Sequence, residues 1–441
     1  MQADTSRLGI YIHIPFCLSK CAYCDFYSFV PEGEDIYKRY TDAVIKHMEC
    51  YRAAAADRVV DSVFIGGGTP TVLPTEQLVR ILKAVKHNFR LAKGAEVTIE
   101  ANPATADKKK FTKLRRAGVN RVSIGLQSAN APELKALSRI HTRDEFEECF
   151  RAARAAKITN ISVDLMFGIP LQTKESLFRS LDYVTRLSPE HISLYDLKIE
   201  PGTPFDRIRD RLTLPDEDTE YGMYTGAIAM LERRGYRQYE ISNFARPGKT
   251  CRHNLKYWNC DEYLGFGPSA YSYFNSNRFS FVRNIEAYMR GVEDLESRVG
   301  ITVGSEEIAG RAQMGEYVML RLRLRDGIGL GEFRRRFGCD FTEMYGEKLG
   351  FYLKRGYMAK RGDSIFLTPA GMFVSNYILS DILSFADLNA LSLRETIRQF
   401  TANHALDNTV LGNLRLRLIH CLNRGTITDN GNFICHIGNL I

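Results

Sequence analysis

The sequence lacks any long apolar run. None of its 441 residues belongs to a stretch near the ~18 uninterrupted apolar residues that a membrane-spanning helix needs. Its first seven residues also contain no apolar segment typical of a signal peptide. The sequence therefore predicts no membrane span, and the expected location is the cytoplasm. Tryptophan is scarce as well, because Trp258 is the only one.

A strong charge of one sign is also missing. Sixty Lys and Arg against 52 Asp and Glu leave a net charge of +8, which is too small for this length to indicate an acidic partner. With 44% hydrophobic and 25% charged residues, the composition is typical of a globular protein. The length leaves room for two or three domains and excludes a small disulfide-stapled scaffold.

Cysteines are more informative. Ten are present, and without an export signal they are better interpreted as thiols or metal ligands than as disulfides. Cys17, Cys21 and Cys24 crowd together just beyond the first predicted strand. Three thiolates do not complete a tetrahedral zinc site, whereas they can hold three irons of a [4Fe-4S] cube and leave the fourth iron open. Zinc binding and three incidental buried cysteines are the alternatives.

Short β-branched runs alternate with helical stretches through the first half of the chain. The runs are 10–14, 59–65, 96–101, 121–126, 160–166 and 191–197. Continuously apolar strands separated by helices predict a parallel sheet covered on its outer face. The expected fold class is therefore α/β, with a partial (β/α)6 barrel.

The alternation of strands and helices does not continue through the second half of the chain. We predict four regions: the barrel at 1–245, an aromatic capping connector at 246–300, a mainly helical, winged-helix-like domain at 301–385, and a tail of unknown role at 386–441. A hairpin turning at 361–363 supports the third region. The tail has a leucine-lined helical face and a hairpin signal at 430–431.

Polar residues recur where the predicted strands end. Gly66, Gly67 and Gly68 let the backbone after the second strand approach a ligand closely. The following strands end in further polar side chains: Glu100, Asn102, Gln127, Asp164, Lys198 and Glu200. Because the carboxyl ends of parallel strands carry the ligands in barrels, we expect one binding face there.

The segment from Tyr11 to Cys24, with its Cys-x3-Cys-x2-Cys spacing and Tyr23 beside the last cysteine, resembles the cluster loop of radical S-adenosylmethionine (SAM) proteins. It is most similar to the family of oxygen-independent coproporphyrinogen III oxidase and the HemW-type heme chaperones, over about residues 9–383. The resemblance implies a [4Fe-4S] cluster on the three cysteines, with SAM chelating the open iron. Positions matching the SAM contacts of the oxidase are Tyr11, Tyr23, Gly67, Gly68, Thr69, Glu100, Gln127, Arg139, Asp164 and Lys198.

A second motif lies in the aromatic connector. Residues 253–258, here called the HN-x-x-YW segment, resemble a signature of the HemW-type chaperones. The resemblance implies a heme site with His253 as axial ligand and with Asn254, Tyr257 and Trp258 beside it, and Cys251 is a rival ligand. The alternative for His253, as for His13 on the first strand, is a hydrogen-bonded structural histidine.

The resemblance implies a heme chaperone with SAM and the cluster as cofactors. Its expected partners are heme, heme-acceptor proteins such as respiratory enzymes, and an electron donor if SAM is cleaved. Peripheral contact with an anionic membrane is a further hypothesis. The alternatives are the oxidase and a radical SAM methyltransferase that opens heme. Asp25-Phe26 stands where the oxidase has a further cysteine, and only eight residues precede Gly9, so we expect no oxidase activity.

Arginines in the third region offer a different hypothesis. Arg321, Arg323, Arg325 and the run 334–336 could grip nucleic acid. Surface arginines on helices usually solvate a face, so no nucleic-acid partner is expected.

Overall fold

The computed structural model describes residues 6–294 and 300–383. Its contacts divide the chain into two compact units, Met1–Ile308 and Ala309–Ile441, which are described separately below. The predicted tail at 386–441, with its hairpin, lies outside the described residues. Over the two described ranges, none of the helices combines the length and apolar character needed to cross a membrane.

The first unit is built on six parallel strands in sequential order. They are β1 (Arg7–Ile14), β2 (Val59–Gly67), β3 (Leu91–Ala101), β4 (Arg121–Gln127), β5 (Ile161–Phe167) and β6 (His191–Asp196). All six predicted strands and their parallel pairing are therefore confirmed. Sequential order in a parallel sheet requires a crossover after each strand, and helices provide those crossovers.

The crossover helices are α1 (Asp35–Tyr51), α2 (Thr75–Asn88), α3 (Lys108–Ala117), α4 (Ala131–Ala136), α5 (Arg143–Ala155) and α6 (Lys174–Leu187). Two further helices, α7 (Pro204–Arg207) and α8 (Glu217–Arg233), follow β6. Thr142 begins α5 with a capping box to Glu145, and Thr173 caps α6 in the same way. Such caps satisfy amide groups that the first turn leaves free and so fix where each helix starts.

The strands are apolar on one face only, which corrects the expectation of continuously apolar strands. Ile10, Ile12 and Ile14 of β1 are fully buried, as are Val63 and Ile65 of β2. The alternate positions carry polar or aromatic side chains along every strand; examples are Ser62, Glu96, Glu100, Arg121, Ser123, Ser162, Asp164 and His191. Because side chains alternate across a strand, these residues share the other face of the sheet, here called the inner face.

The aromatic connector extends the same sheet. It supplies α9 (Arg252–Trp258), β9 (Tyr263–Phe266), β10 (Tyr271–Phe274), β11 (Asn277–Phe281) and α10 (Ile285–Glu293), and β12 (Thr302–Glu307) follows. β9 pairs in parallel with β1, and β10, β11 and β12 continue outward from it. At the other edge, β8 (Asn243–Ala245) pairs antiparallel with β6 and with β7 (Arg237–Gln238).

The second unit is smaller. Its elements are α11 (Gly310–Arg321), β13 (Ile328–Gly329), α12 (Leu330–Phe337), α13 (Phe341–Lys354), β14 (Met358–Arg361), β15 (Ser364–Leu367), α14 (Pro369–Phe373) and α15 (Ser375–Ile382). The predicted hairpin is confirmed, since β14 and β15 pair antiparallel. Arg323 is buried and donates to Asn376, and Arg334 pairs with Asp340. These two arginines therefore have contacts within their own domain.

A carboxylate on the inner face caps α9. Glu96 Oε1 accepts from the backbone N–H groups of Arg252 at 3.0 Å and His253 at 3.3 Å, and from Cys251 Sγ at 3.5 Å. Glu96 is 6% exposed. A buried carboxylate at a helix N-terminus satisfies several donors at once. Glu96 therefore fixes where α9 begins against β3.

We predict that Glu96→Ala destabilises the protein by about 1–3 kcal/mol, because buried donors of α9 would lose their acceptor. Lys93→Ala, an exposed position on the same strand, is the matched control and should change stability by less than about 0.5 kcal/mol. Urea unfolding followed by Trp258 emission measures both. Equal midpoints for the two variants would contradict the capping role.

Candidate functional site

The loop after β1 carries the three clustered cysteines. Its two sides are joined by backbone hydrogen bonds, from Cys17 N to Phe29 O and from Phe29 N to Pro15 O, both 2.9 Å. Cys24 N donates to Cys21 O at 3.2 Å, which forms a tight turn between the last two cysteines. The three thiols therefore lie in one closed loop at the carboxyl end of β1.

The thiols lie close enough to influence one another electrostatically. Burial, together with the neighbouring thiols Cys21 and Cys17, raises the pKa of Cys24 to about 11. Burial also raises the pKa of Cys17, to which Cys21 contributes. Iron would supply the positive charge that thiolates here require. Within the described ranges no three His, Cys, Asp or Glu side chains could hold one metal ion. A [4Fe-4S] cube does not need three ligands on one metal ion, because each thiolate binds a different iron.

The three glycines at the end of β2 are packed from one side. A Cβ on Gly66 would lie 2.8 Å from Phe64 Cε1, and one on Gly67 would lie 2.6 Å from His13 Nδ1. A Cβ on Gly68 would lie 2.7 Å from Phe16 O and 3.0 Å from Cys17 Sγ. The backbone after β2 thus runs directly against the cysteine loop, which only glycine permits.

Glu100 lies beside these glycines at the carboxyl end of β3. Its Oε2 accepts from Gly67 N at 3.0 Å. Burial, and then the negative charge of Asp164, raise the pKa of Glu100 to about 8. An ammonium or amino donor at this carboxylate would favour its ionised form. Glu100 therefore fits the amino group of an amino-acid ligand.

Two further acceptors follow on β4 and β5. Gln127 ends β4 with a positive φ of 68° and accepts from the Tyr195 hydroxyl at 2.6 Å. Asp164 accepts from Ser123 Oγ at 2.9 Å, and burial raises its pKa. Both side chains are held by hydroxyl donors from other strands, Gln127 by Tyr195 of β6 and Asp164 by Ser123 of β4, so they are oriented before any ligand binds. Their free lone pairs suit ribose hydroxyls.

Arg139 and Tyr23 lie at the cysteine loop. Arg139 donates from Nη1 to Cys21 Sγ at 3.3 Å and from Nη2 to Gly125 O at 3.0 Å. Its buried Nε has no hydrogen-bond partner within the described part of the chain. Burial raises the pKa of Tyr23, and the Arg139 charge opposes that shift. The unsatisfied guanidinium N–H fits an anionic ligand such as a carboxylate.

The other predicted SAM residues occupy the same end of the sheet. Thr69 is buried, with its hydroxyl 3.7 Å from Cys17 Sγ. Tyr11 is buried and its hydroxyl lies 3.0 Å from His13 Nδ1. His13 Nε2 bonds the backbone oxygen of Tyr27 at 2.8 Å. Lys198 is half-exposed and pairs with Glu200 at 2.9 Å. Lys198 is thus the most solvent-exposed of the set.

The HN-x-x-YW segment lies elsewhere, on α9. His253 is 1% exposed, with Nδ1 3.0 Å from Ser62 Oγ and Nε2 3.0 Å from the Tyr257 hydroxyl. Burial lowers the pKa of His253 to about 3. Asn254 Oδ1 accepts from Cys251 Sγ at 3.2 Å, and Trp258 is 1% exposed. Both imidazole nitrogens therefore have partners. Heme ligation by His253 stays a prediction, and it requires one of the two nitrogens to give up its hydrogen bond.

Several residues of the site were not predicted. Ser123 and Tyr195 orient Asp164 and Gln127, and Glu96 caps α9. Polar side chains at every second position of the strands could have indicated these residues in the sequence. Glu96, Thr98 and Glu100 alternate on β3, as Arg121, Ser123 and Gln127 share one face of β4.

Comparisons with known proteins agree with this architecture. A sequence model of the radical SAM superfamily matches residues 11–184, and a model of the HemN C-terminal domain matches residues 308–374. The structure of coproporphyrinogen III oxidase (HemN) from Escherichia coli, a radical SAM enzyme, has a TM-score of 0.75 at 23% identity and covers 86% of this chain and 91% of that chain. This structural likeness shows the fold. The superfamily model over residues 11–184 defines the class as a radical SAM protein.

Sequence relatives are more specific. Heme chaperone HemW of Escherichia coli is 34% identical over 86% of this chain and 98% of its own length. HemW of Mycobacterium tuberculosis is 34% identical over 85% of this chain and 94% of its own length. HemW of Buchnera aphidicola is 32% identical over 85% of this chain and 98% of its own length. The chain belongs to the HemW heme chaperone family, whose radical SAM membership implies a [4Fe-4S] cluster and SAM.

The pKa of Glu100 predicts how SAM affinity depends on pH. In the predicted SAM site the ionised carboxylate would accept from the amino group of SAM, whereas the protonated form of Glu100 dominates below about pH 8. Affinity should therefore be about tenfold weaker at pH 7 than at pH 9. Anaerobic equilibrium dialysis measures it, with Glu100→Gln as the control that should be weaker and nearly independent of pH. A flat profile for the wild-type protein would contradict this role.

We predict that Gly68→Ala lowers iron and sulfide content after anaerobic reconstitution, because the new Cβ displaces the cysteine loop at Phe16 and Cys17. Gly33→Ala is the matched control, since a Cβ there meets nothing within 4 Å. Iron and sulfide assays should show at least about half the cluster lost in the first variant and none in the second. Full cluster content in Gly68→Ala would argue against the close packing.

Proposed function

We propose that this protein binds heme and passes it to acceptor proteins, on a scaffold that carries a [4Fe-4S] cluster and SAM. The observation that carries the proposal is the match to curated HemW heme chaperones at 34% identity over 94–98% of their length. A match of that extent includes the ends of β2 to β6 and the HN-x-x-YW segment, and the radical SAM model, which matches residues 11–184, includes the cysteine loop. The proposal therefore concerns the proposed cluster and SAM site as well as the HN-x-x-YW segment.

Cys17, Cys21 and Cys24 are the proposed cluster ligands. When bound, the reduced cluster can supply an electron to the SAM sulfonium. Glu100 would accept from the amino group of SAM and Arg139 would donate to its carboxylate. The other proposed contacts on the nucleoside or methionyl part are Tyr11, Tyr23, Gly67, Gly68, Thr69, Gln127, Asp164 and Lys198. Their chemistry fits the parts of SAM, and Glu100 is the member of the set whose protonation state affects binding.

The heme site is proposed with less detail. His253, Asn254, Tyr257 and Trp258 are the residues that the sequence motif suggests. All four are buried, and His253 is held between Ser62 and Tyr257. Ligation through one imidazole nitrogen would replace the hydrogen bond of that nitrogen, at a cost of about 0.5–1.5 kcal/mol, which iron coordination can offset. Heme-acceptor proteins, an electron donor and contact with an anionic membrane remain proposals of the same kind.

Anaerobic reconstitution tests the function. We expect the cluster-loaded protein to bind one heme, seen as a shifted Soret band with quenching of Trp258 emission, and to release it to an apo-cytochrome of the b type. With coproporphyrinogen III, SAM and reductant, we expect no carbon dioxide. Bovine serum albumin loaded with heme is the control for passive release, which should be slower.

Two outcomes would contradict the proposal. If the protein released carbon dioxide from coproporphyrinogen III, the oxidase would be the better assignment. If heme bound no more tightly than to the control protein, or moved to the apo-cytochrome no faster, the chaperone function would be wrong.

A further inference from the structure

The HN-x-x-YW helix is connected to the glycines of the proposed SAM site by stacked rings. We call the rings of His253, Phe64, Tyr11 and His13 the column. It begins at His253, whose two nitrogens bond Ser62 on β2 and Tyr257 on α9. The Tyr257 ring in turn packs edge-on against Tyr263 of β9, with centroids 4.6 Å apart. Fixed at both nitrogens and buried, the imidazole has one position available to it.

Two aromatic rings lie on His253. Phe64 stacks on it at 5.4 Å between centroids and 26° between planes, and Tyr11 lies at 6.4 Å and 27°. Phe64 and Tyr11 also stack on each other at 6.3 Å. Tyr11 continues to His13 through the 3.0 Å contact of its hydroxyl with Nδ1. Tyr11 and His13 alternate along β1, and Phe64 lies opposite Tyr11 on β2, which places these three rings on the same inner face.

At its other end the column contacts Gly66 and Gly67. Phe64 occupies the space that a side chain on Gly66 would need, at 2.8 Å from the Cβ position. The His13 ring does the same for Gly67, at 2.6 Å. Gly67 is the residue whose N–H binds Glu100 at 3.0 Å. The rings therefore form the support on which the ligand-facing backbone rests.

We propose that His253 is a positioning residue for SAM: through Phe64 and Tyr11 its ring holds Gly66 and Gly67 in place, although His253 itself does not touch the ligand. The proposal rests on the SAM site proposed above. It gives the HN-x-x-YW segment a function in SAM binding that is independent of heme ligation. A close-packed column transmits displacement because its rings have no free volume to absorb it.

Three variants test the proposal in the anaerobically reconstituted full chain. His253→Ala removes the base of the column, and we expect SAM affinity to fall about five- to tenfold, as for loss of one aromatic contact. His253→Phe keeps a ring of similar size but loses both hydrogen bonds, and it should retain SAM affinity within about threefold while lowering the melting temperature. Phe64→Leu removes the ring that lies between His253 and Gly66 while His253 itself is unchanged. Its SAM affinity should resemble that of His253→Ala.

His47→Ala is the matched control for loss of a buried histidine. His47 is 2% exposed and its Nδ1 lies 2.8 Å from the Tyr288 hydroxyl, but its ring contacts Phe266 and Phe281 instead of the column. We expect it to lower the melting temperature and leave SAM affinity unchanged. Equilibrium dialysis with labelled SAM, with iron and sulfide measured in every sample, gives the affinities.

Unchanged SAM affinity in both His253→Ala and Phe64→Leu would overturn the inference while leaving the SAM site intact. If His253→Phe lost as much affinity as His253→Ala at equal cluster content, the ring would not be the supporting element and the inference would also be wrong. Absence of SAM binding by the wild-type protein would overturn the proposed SAM site itself and the inference with it. Because phenylalanine cannot ligate iron, retained SAM affinity in His253→Phe separates positioning from heme ligation.

Discussion

The close approach of the strand β2 end to the cysteine loop is the constraint on which the site depends. Gly68 N donates to Ile14 O and Thr69 N to Phe16 O, both at 2.7 Å, so the two segments are joined backbone to backbone. Any side chain at Gly68 would meet Phe16 or Cys17. This contact brings the proposed cluster ligands and the proposed methionyl-binding backbone to the same point, which electron transfer between cluster and SAM would require.

The other residues of the site are positioned by the alternation of side chains between the two faces of the parallel sheet. One face is apolar and buried, which stabilises the fold. The inner face carries charged and hydroxyl side chains that bond one another across strands, such as Ser123 with Asp164 and Ser162 with His191. Buried polar groups in such a network are held in fixed orientations because each lost bond leaves an unsatisfied group. Glu100 is therefore presented to a ligand by a rigid surface, at a pKa of about 8.

Much of this could be predicted from the sequence. The six strands follow from β-branched runs, and the cysteine spacing pointed to the loop after β1. What the sequence did not reveal was which groups would face each other. Arg139 bonds Cys21 Sγ, 118 positions away in sequence, and His253 lies against Ser62, 191 positions away. Contacts of that kind depend on the register of paired strands and on Gly9, where a Cβ would lie 2.7 Å from Lys256 of α9. No local pattern encodes them.

The most direct test of the account is cluster analysis of anaerobically purified protein with and without SAM. Cys17, Cys21 and Cys24 as cluster ligands predict about four irons and four sulfides per chain. They also predict an electron paramagnetic resonance signal of the reduced cluster that changes shape when SAM binds, and loss of that signal in Cys24→Ala. Colourless protein with negligible iron, or a signal indifferent to SAM, would contradict the account.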